Sequence, residues 1–327
     1  MLILHLIKSN VPIFGAILFG YLASYFHMLG KRATSVLSDF VFLVALPCMV
    51  LNQFSKYSID KIFNFSYMAV VITGSIPLVF IGWLVAKKVF KQSLGEMALT
   101  MMTSGQVNTA FLAIPIFLLF FKTVSPVVMV TVFQQLILAP TILGIIEYAS
   151  QSKKSGFGGL SFLKELPKAI IRTPIIPASL VGFIFSYFHI SFPSTISYFL
   201  DLMGKGAAPI SLFVLGLSLE QDKISIHKSD RKEVMIRLAL KNFLHPLVAF
   251  SIGKYIFELN PYWLLTVSLM AAMPSSRTCA LYAQRYGLNV QMANTLIVLS
   301  TFISFAVINV ILYLSGDVAL LMQGSCG

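Results

Sequence analysis

The stretch SGQVNTAFLAIP, Ser104–Pro115, sets Ser104, Gln106, Asn108 and Thr109 inside an apolar run, with Gly105 among them and Pro115 at its end. Hydrocarbon rejects such groups unless each finds a partner inside the protein. The stretch therefore means one thing in a water-soluble domain and another in a bilayer, and composition decides between them. Of 327 residues, 57% are hydrophobic and 11% charged, where a soluble domain carries roughly 25% charged residues. Mean hydropathy is +0.85. Apolar runs of about 20 residues, the length that spans hydrocarbon as a helix, recur along the whole chain. Ten can be counted, at roughly 9–27, 34–54, 66–87, 96–121, 125–148, 173–190, 195–219, 234–257, 261–285 and 290–314. The expected fold is an all-α polytopic membrane protein of ten transmembrane helices, with the opening stretch in the middle of segment 4.

The net charge of +12 and a pI near 9.6 raise the question of nucleic acid, so the placement of the charges matters. Counting alternate sides, the N-terminus and the loops after segments 2, 4, 6 and 8 hold Lys8, Lys56, Lys61, Lys122 and Lys254. The opposite side holds Lys31, Arg32, Lys87, Lys88, Lys91, Lys153, Lys154, Lys164, Lys168, Arg172, Lys223, Lys228, Arg231, Lys232, Arg237 and Arg285, sixteen against five. The positive-inside rule puts the sixteen in the cytoplasm and both termini outside, in a multi-pass protein of the cell membrane. The basicity reads as topology, and no nucleic-acid partner is expected. Three cysteines, with Cys48 and Cys279 in predicted helices, make neither a disulfide framework nor a metal cluster. No metal or cofactor is expected. Segment 1 reads as a retained helix and not as a cleaved signal.

An internal repeat organises the ten segments. With a constant offset of 162, residues from Pro12/Pro174 to Pro47/Pro209 align without a gap, and 13 of the 36 pairs are identical. They include Gly20/Gly182, Asp39/Asp201 and all of SYFH at 24–27 and 186–189. Apolar bias alone aligns Leu with Ile; it does not align Pro, Gly, Asp and His in one register. The expected division is a first five-helix repeat over 1–148, a basic cytoplasmic linker over 149–172 and a second repeat over 173–327. Five is odd, so the halves cross the membrane in opposite senses. Inverted repeats mark secondary transporters, whose sites lie near the midplane at discontinuous helices.

Segments 4 and 9 are then the broken, crossing pair. Segment 9 carries AAMPSSRTCALYAQRYG, 271–287. Pro274 cannot donate a backbone hydrogen bond and should leave the Met270 carbonyl unpaired. Ser275, Ser276 and Thr278 can cap a new half-helix beyond it, and Asn108 and Thr109 can do the same after a flexible Gly105. Two helix N-termini converging at mid-membrane suit an anion, since free N–H groups and both dipoles favour negative charge. Arg277, whose forked donors match a carboxylate, adds to this. The expected substrate contacts are Gln106, Asn108, Thr109, Pro274, Ser275, Ser276 and Arg277, with Lys241 and Gln134 as further lining. Asp201, Lys205 and Asp39 are candidates for charge pairing or ion coupling. His245, before Pro246, is the candidate core histidine or proton relay. The structural alternative is that the hydroxyls and amides only glue helices together.

The chain resembles the auxin efflux carrier family, which includes plant auxin exporters and bacterial permeases for malate and malonate. The matching residues are VPIFGAILFGYL (11–22), FVFLVALPCMVL (40–51), NTAFLAIP (108–115), GAAPISLFVLGLSL (206–219), the Lys241–Pro246 spacing, MPSS with AQRYG in segment 9, and LSTFISF (299–305). The resemblance implies ten helices in two inverted halves, breaks in helices 4 and 9, and a scaffold of helices 1, 2, 6 and 7. It also implies that this scaffold is usually dimeric and that the remaining helices form a mobile core. One departure is Val107, where family members commonly carry proline. Another is Arg277, where small residues are frequent.

The expected function is a secondary transporter for a small organic anion, a mono- or dicarboxylate, by alternating access and with proton or sodium coupling open. Pro47, Pro209, Gly204 and Gly206 are expected to line a close sliding contact between scaffold and core. The alternative is a membrane sensor that binds the same ligand without net transport. An enzyme is not expected, since no His-Glu-x-x-His, Gly-x-Ser-x-Gly or paired catalytic aspartate occurs.

Overall fold

The computed structural model describes residues 2–30, 32–57, 62–151, 174–221 and 230–315. Among these the chain is helical, and the only strand-like feature is one isolated antiparallel bridge. The helices are α1 Leu2–Tyr25, α2 Ala33–Phe54, α3 Phe65–Lys88, α4 Leu94–Gly105, α5 Thr109–Phe121, α6 Ser125–Ser150 and α7 Ile175–Tyr187. They continue as α8 Ser194–Gly204, α9 Ala207–Gln221, α10 Arg231–Tyr255, α11 Pro261–Ala272, α12 Thr278–Arg285 and α13 Val290–Leu314. Six stretches are long and apolar enough to cross a membrane: α2, α3, α6, α8 with α9, α10 and α13. Helices α5, α7, α11 and the part of α1 from Val11 are apolar but shorter. Most of the expected linker, 152–172, lies outside the described residues, as do Lys31, Lys61, Lys223, Lys228 and the tail beyond Ser315.

Among the described residues, four π-helical turns lie within or at the start of the helices, at Val41–Ala45, Thr109–Ala113, Gln134–Leu138 and Leu240–Leu244. Each ends two residues before a proline: Pro47, Pro115, Pro140 and Pro246. The cause is steric. A proline ring clashes with the carbonyl four residues back and removes one N–H, so the preceding turn widens. Pro209, the repeat partner of Pro47, meets the same problem differently. There the helix stops at Gly204 and restarts at Ala207, making segment 7 two helices joined by a turn.

The helices pack in two groups. In one, α1 lies along α9, and α2 lies against α7 and α8. In the other, α3 packs on α4 and α10, α4 on α6, α10 on α11, and α13 on α11 and α12. The groups meet chiefly where α9 crosses α5. Glycine sets the spacing inside the first group: a Cβ at Gly20 or Gly216 would overlap the facing backbone of Phe213 or Ile17. Gly182, the repeat partner of Gly20, performs the same service between α7 and α2, where an added Cβ would lie 2.7 Å from that of Phe54. Gly204 packs against Met49 of α2, and the atoms nearest a Cβ at Gly206 belong to Ile210, Met203 and Phe40. These two glycines and the exposed Pro209 therefore do not line a contact between the groups, contrary to the expectation. They fit helices within one group.

Several helix ends share one geometry. Among the described residues, positive φ occurs at His27, Lys91, Lys122, His189, Glu258 and Gly287. His27 and His189 each lie two residues past a helix, after Tyr25 and Tyr187, and Lys91 and Glu258 each lie three past, after Lys88 and Tyr255. Lys122 and Gly287 follow α5 and α12. The left-handed residue lets late amides reach back to the last carbonyls, as in Met28 N to Ala23 O and Ile190 N to Phe185 O, at 2.9 and 2.8 Å.

Candidate functional site

Helix α4 ends at Gly105 and α5 begins at Thr109, while α11 ends at Ala272 and α12 begins at Thr278. The two gaps lie against each other. Val107 and Ser275 form the isolated bridge, and Asn108 N donates to Pro274 O at 2.8 Å. Extended backbone buried in this way needs its peptide groups satisfied by protein, and the surrounding side chains do this.

At the first gap the brace is Gln134 of α6. With its amide oriented to suit, Oε1 accepts from Val107 N at 2.9 Å and Nε2 donates to Val107 O at 3.1 Å. This explains how Val107 stands where proline is common in the resembled family: its N–H has a dedicated acceptor. Asn108 caps α5, its Oδ1 accepting from Phe111 N at 3.1 Å. Gly105 is not a flexible hinge. It keeps an ordinary φ, and a Cβ there would run into Val79.

At the second gap the braces are hydroxyls. Ser275 Oγ donates across to Thr103 O of α4 at 2.8 Å, and Ser275 N donates to Ser300 Oγ of α13 at 3.2 Å. Ser275 is thus a tie between helices and not a cap. Ser276, one residue before the N-cap, ties the start of α12: its Oγ accepts from Thr278 N at 3.4 Å and meets Thr278 Oγ1 at 2.8 Å. The Met270 carbonyl is not left unpaired by Pro274: a tighter turn brings Met273 N to it at 3.2 Å. At the far end of α12, Tyr286 donates to Glu147 Oε1 of α6 at 2.9 Å. Burial, together with this bond, pushes the Tyr286 phenol up to about 12.

Two donors remain open. Asn108 Nδ2 and Gln106 Nε2 are buried with no hydrogen-bond partner among the described residues. The Gln106 Oε1 is occupied, by Thr278 Oγ1 at 3.1 Å and the Cys279 thiol at 3.8 Å, so its amino end is held in a fixed direction. Buried donors without partners are rare in folded proteins and are a ready place for an acceptor. Thr109 is buried at the first residue of α5, and Arg277 is half-buried at the N-cap of α12.

The other expected residues lie apart from these. Asp201 and Lys205 pair at 2.6 Å on a surface where their side chains are 39% and 72% exposed, so Lys205 is not a buried intramembrane cation. Asn52 Nδ2 also reaches Asp201 Oδ1, at 3.5 Å. Asp39 is exposed on the early turns of α2. Lys241 is buried and meets His245, and it makes no hydrogen bond to either gap among the described residues.

The buried residue that sequence reasoning missed is Arg237. It was counted with the cytoplasmic cations, but it is 2% exposed. Its Nη1 pairs with Glu233 Oε1 at 2.6 Å and its Nη2 donates to Thr103 Oγ1 at 2.9 Å. Gln92 Nε2 donates to the same Glu233 Oε1 at 2.7 Å. Arg237 thus steadies the turn of α4 that holds Ser275. The i, i+4 spacing of Glu233 and Arg237 was the available signal.

A family model described as membrane transport protein matches residues 5–313. The chain belongs to this membrane transport family. It is the auxin efflux carrier family, as the matched motifs implied. A protein of Rhizobium meliloti (strain 1021) named "Putative malonate transporter" is 20% identical over 312 residues, covering 93% of this chain and 94% of that one. "Auxin efflux carrier component 5" of Arabidopsis thaliana is 20% identical over 338 residues, covering 92% and 94%. An "Uncharacterized transporter" of Methanothermobacter thermautotrophicus is 25% identical over 291 residues, covering 88% and 91%. The transport family chain is therefore matched along nearly its whole length.

Proposed function

We propose that the chain is a secondary transporter for a small organic anion, a mono- or dicarboxylate, which binds at the two opposed helix gaps. The observation that carries this reading is the pair of open, buried amide donors, Asn108 Nδ2 and Gln106 Nε2, beside two helix N-termini. A carboxylate supplies the acceptors they lack, and the N-termini of α5 and α12 favour its charge. Arg277, Thr109 and Ser276 complete the proposed site. Gln134 acts through Val107 as its brace.

The proposed architecture is ten spans in two inverted halves, 1–148 and 173–327, with 149–172 between them on the cytoplasmic side and both termini outside. The shared offset of 162 and the paired left-handed helix ends support it. Alternating access follows from the two packing groups: the one holding both gaps moves against α1, α2, α7, α8 and α9. The exposed apolar faces of α1 and α8, with Leu18, Phe19, Tyr198 and Phe199, suit lipid and a second copy of the chain.

The test is uptake of labelled mono- and dicarboxylates, malonate among them, by liposomes holding the purified protein. Saturable counterflow with at least one supports the reading; binding without counterflow for any of them supports a sensor. Topology is tested separately with single cysteines at positions 155 and 315. Impermeant reagent should label 315 and spare 155 in intact cells, and the reverse pattern defeats the orientation.

A further inference from the structure

Lys241 and His245 lie one turn apart on α10, 1% and 4% exposed. Lys241 Nζ is 3.1 Å from His245 Nδ1, and no carboxylate lies within ion-pair distance of it among the described residues. The contrast with the other buried cation is plain, since Arg237 one turn earlier has Glu233. Two unneutralised cations at hydrogen-bond distance in a dry interior would repel strongly. A hydrogen bond between the two nitrogens needs one to donate and the other to accept. The pair therefore holds one positive charge or none.

His245 also reaches a space. With Ser75, Val107 and Gln134 it lines a cavity of about 20 Å³, above the roughly 10–15 Å³ that one water needs. Its second ring nitrogen, Nε2, makes no hydrogen bond with any described residue. On the other side, Lys241 neighbours Cys279 of α12, whose thiol meets Gln106 at 3.8 Å. The pair thus stands between a water-sized cavity and the first gap. The titratable and charged groups near it are few. They are the Cys279 thiol from α12 and, on α10 itself, Arg237 with its partner Glu233. Around the cavity, α3, α6 and α11 bring Ser75, Gln134 and apolar side chains, and α13 brings Ser300 and Ser304 to the adjoining Asn242.

We propose that Lys241 and His245 form a single proton-binding site that couples anion transport to protons. This rests on the anion-carrier reading above. In the empty pair, His245 Nδ1–H donates to the neutral Lys241 amine. A proton from hydronium on the acidic side, relayed by the cavity water (which gives up one proton as it gains another and stays neutral), adds to Nε2 while the Nδ1 proton passes to Nζ. The loaded pair is then an ammonium donating to Nδ1 of a neutral imidazole that carries its proton on Nε2. No other bond changes. A positive charge beside the gap attracts the anion, and by reciprocity a bound anion favours loading of the proton. Release on the other side reverses both.

The experiment uses the purified full chain in liposomes with labelled malonate and an entrapped pH dye. Wild type should accumulate malonate when the outside is made acidic, with acidification of the lumen. His245→Asn should keep counterflow within about threefold while losing acid-driven accumulation, because exchange of loaded carriers needs no net proton release. Lys241→Met, which removes the charge that attracts the anion, should lose acid-driven accumulation and also bind malonate more weakly. Calorimetry in buffers of different ionisation enthalpy adds a readout free of flux: wild type should take up about one proton per malonate bound, and His245→Asn none. Acid-driven accumulation persisting in folded His245→Asn overturns the coupling. So does wild-type counterflow with no response to the gradient and no proton uptake, which leaves the carrier standing. Wild type without counterflow for malonate or any carboxylate of the panel defeats both.

Discussion

At the first gap, Val107 has both its backbone groups held by one side-chain amide, Gln134, and the neighbouring amides of Gln106 and Asn108 keep donors free. At the second, Ser275 and Ser276 spend their hydroxyls on Thr103 and Thr278, and Pro274 removes a donor from the start. The same bend is built twice from different chemistry. The first gap is braced by one side-chain amide and keeps two donors open; the second is tied to α4 and α13 through Ser275 and to its own helix start through Ser276. The asymmetry implies that substitutions at corresponding places should separate affinity from stability.

The largest effect is expected from Asn108→Asp. Aspartate keeps the helix cap, but a carboxylate at this 2% exposed position costs stability, so folding of the variant is checked by thermal unfolding before binding is read. A carboxylate in place of the Nδ2 donor should repel an anion by about 3 kcal/mol, roughly a hundredfold in Kd. Calorimetric titration with malonate reads this, and unchanged affinity would move the site away from the first gap. Gln134→Leu should do the opposite. It leaves a buried N–H and C=O of Val107 without partners, costing about 2–4 kcal/mol of stability, visible in thermal unfolding in detergent. A stable variant would mean that water replaces the amide.

Arg277→Ala should weaken anion binding by about 1 kcal/mol, around fivefold, because a half-buried charge is partly screened. That loss should shrink in high salt, and a salt-independent loss would mark a packing role. Ser275→Ala is expected to change least. It removes the tie to Thr103 O for about 1 kcal/mol of stability, with affinity within about twofold of wild type. A larger drop in affinity would place Ser275 on the ligand.

Much of this was legible in the chain because it is local. Long apolar runs, the offset of 162 and the polar stretches around Asn108 and Pro274 all show in linear order. What could not be read depends on partners far apart in sequence. Gln134 lies in another helix from Val107, and Ser300 is 25 residues from Ser275. Arg237, near a helix start, looks like any cytoplasmic cation until Glu233 and Thr103 surround it. The turn at Lys205–Gly206 was signalled locally by Gly204, Gly206 and Pro209, but it lies inside a run long enough to read as one span. Pro47 and Pro209, matched by the repeat, are met by a widened turn in one half and a break in the other. A repeat in sequence does not dictate identical local repair.

The most direct measurement of the central claim is counterflow of a labelled carboxylate into liposomes, with wild type and Asn108→Asp compared in the same preparation. Wild type should show saturable counterflow, competed by unlabelled dicarboxylates, and a folded Asn108→Asp should show almost none. Equal flux from both would contradict an anion site at the opposed gaps.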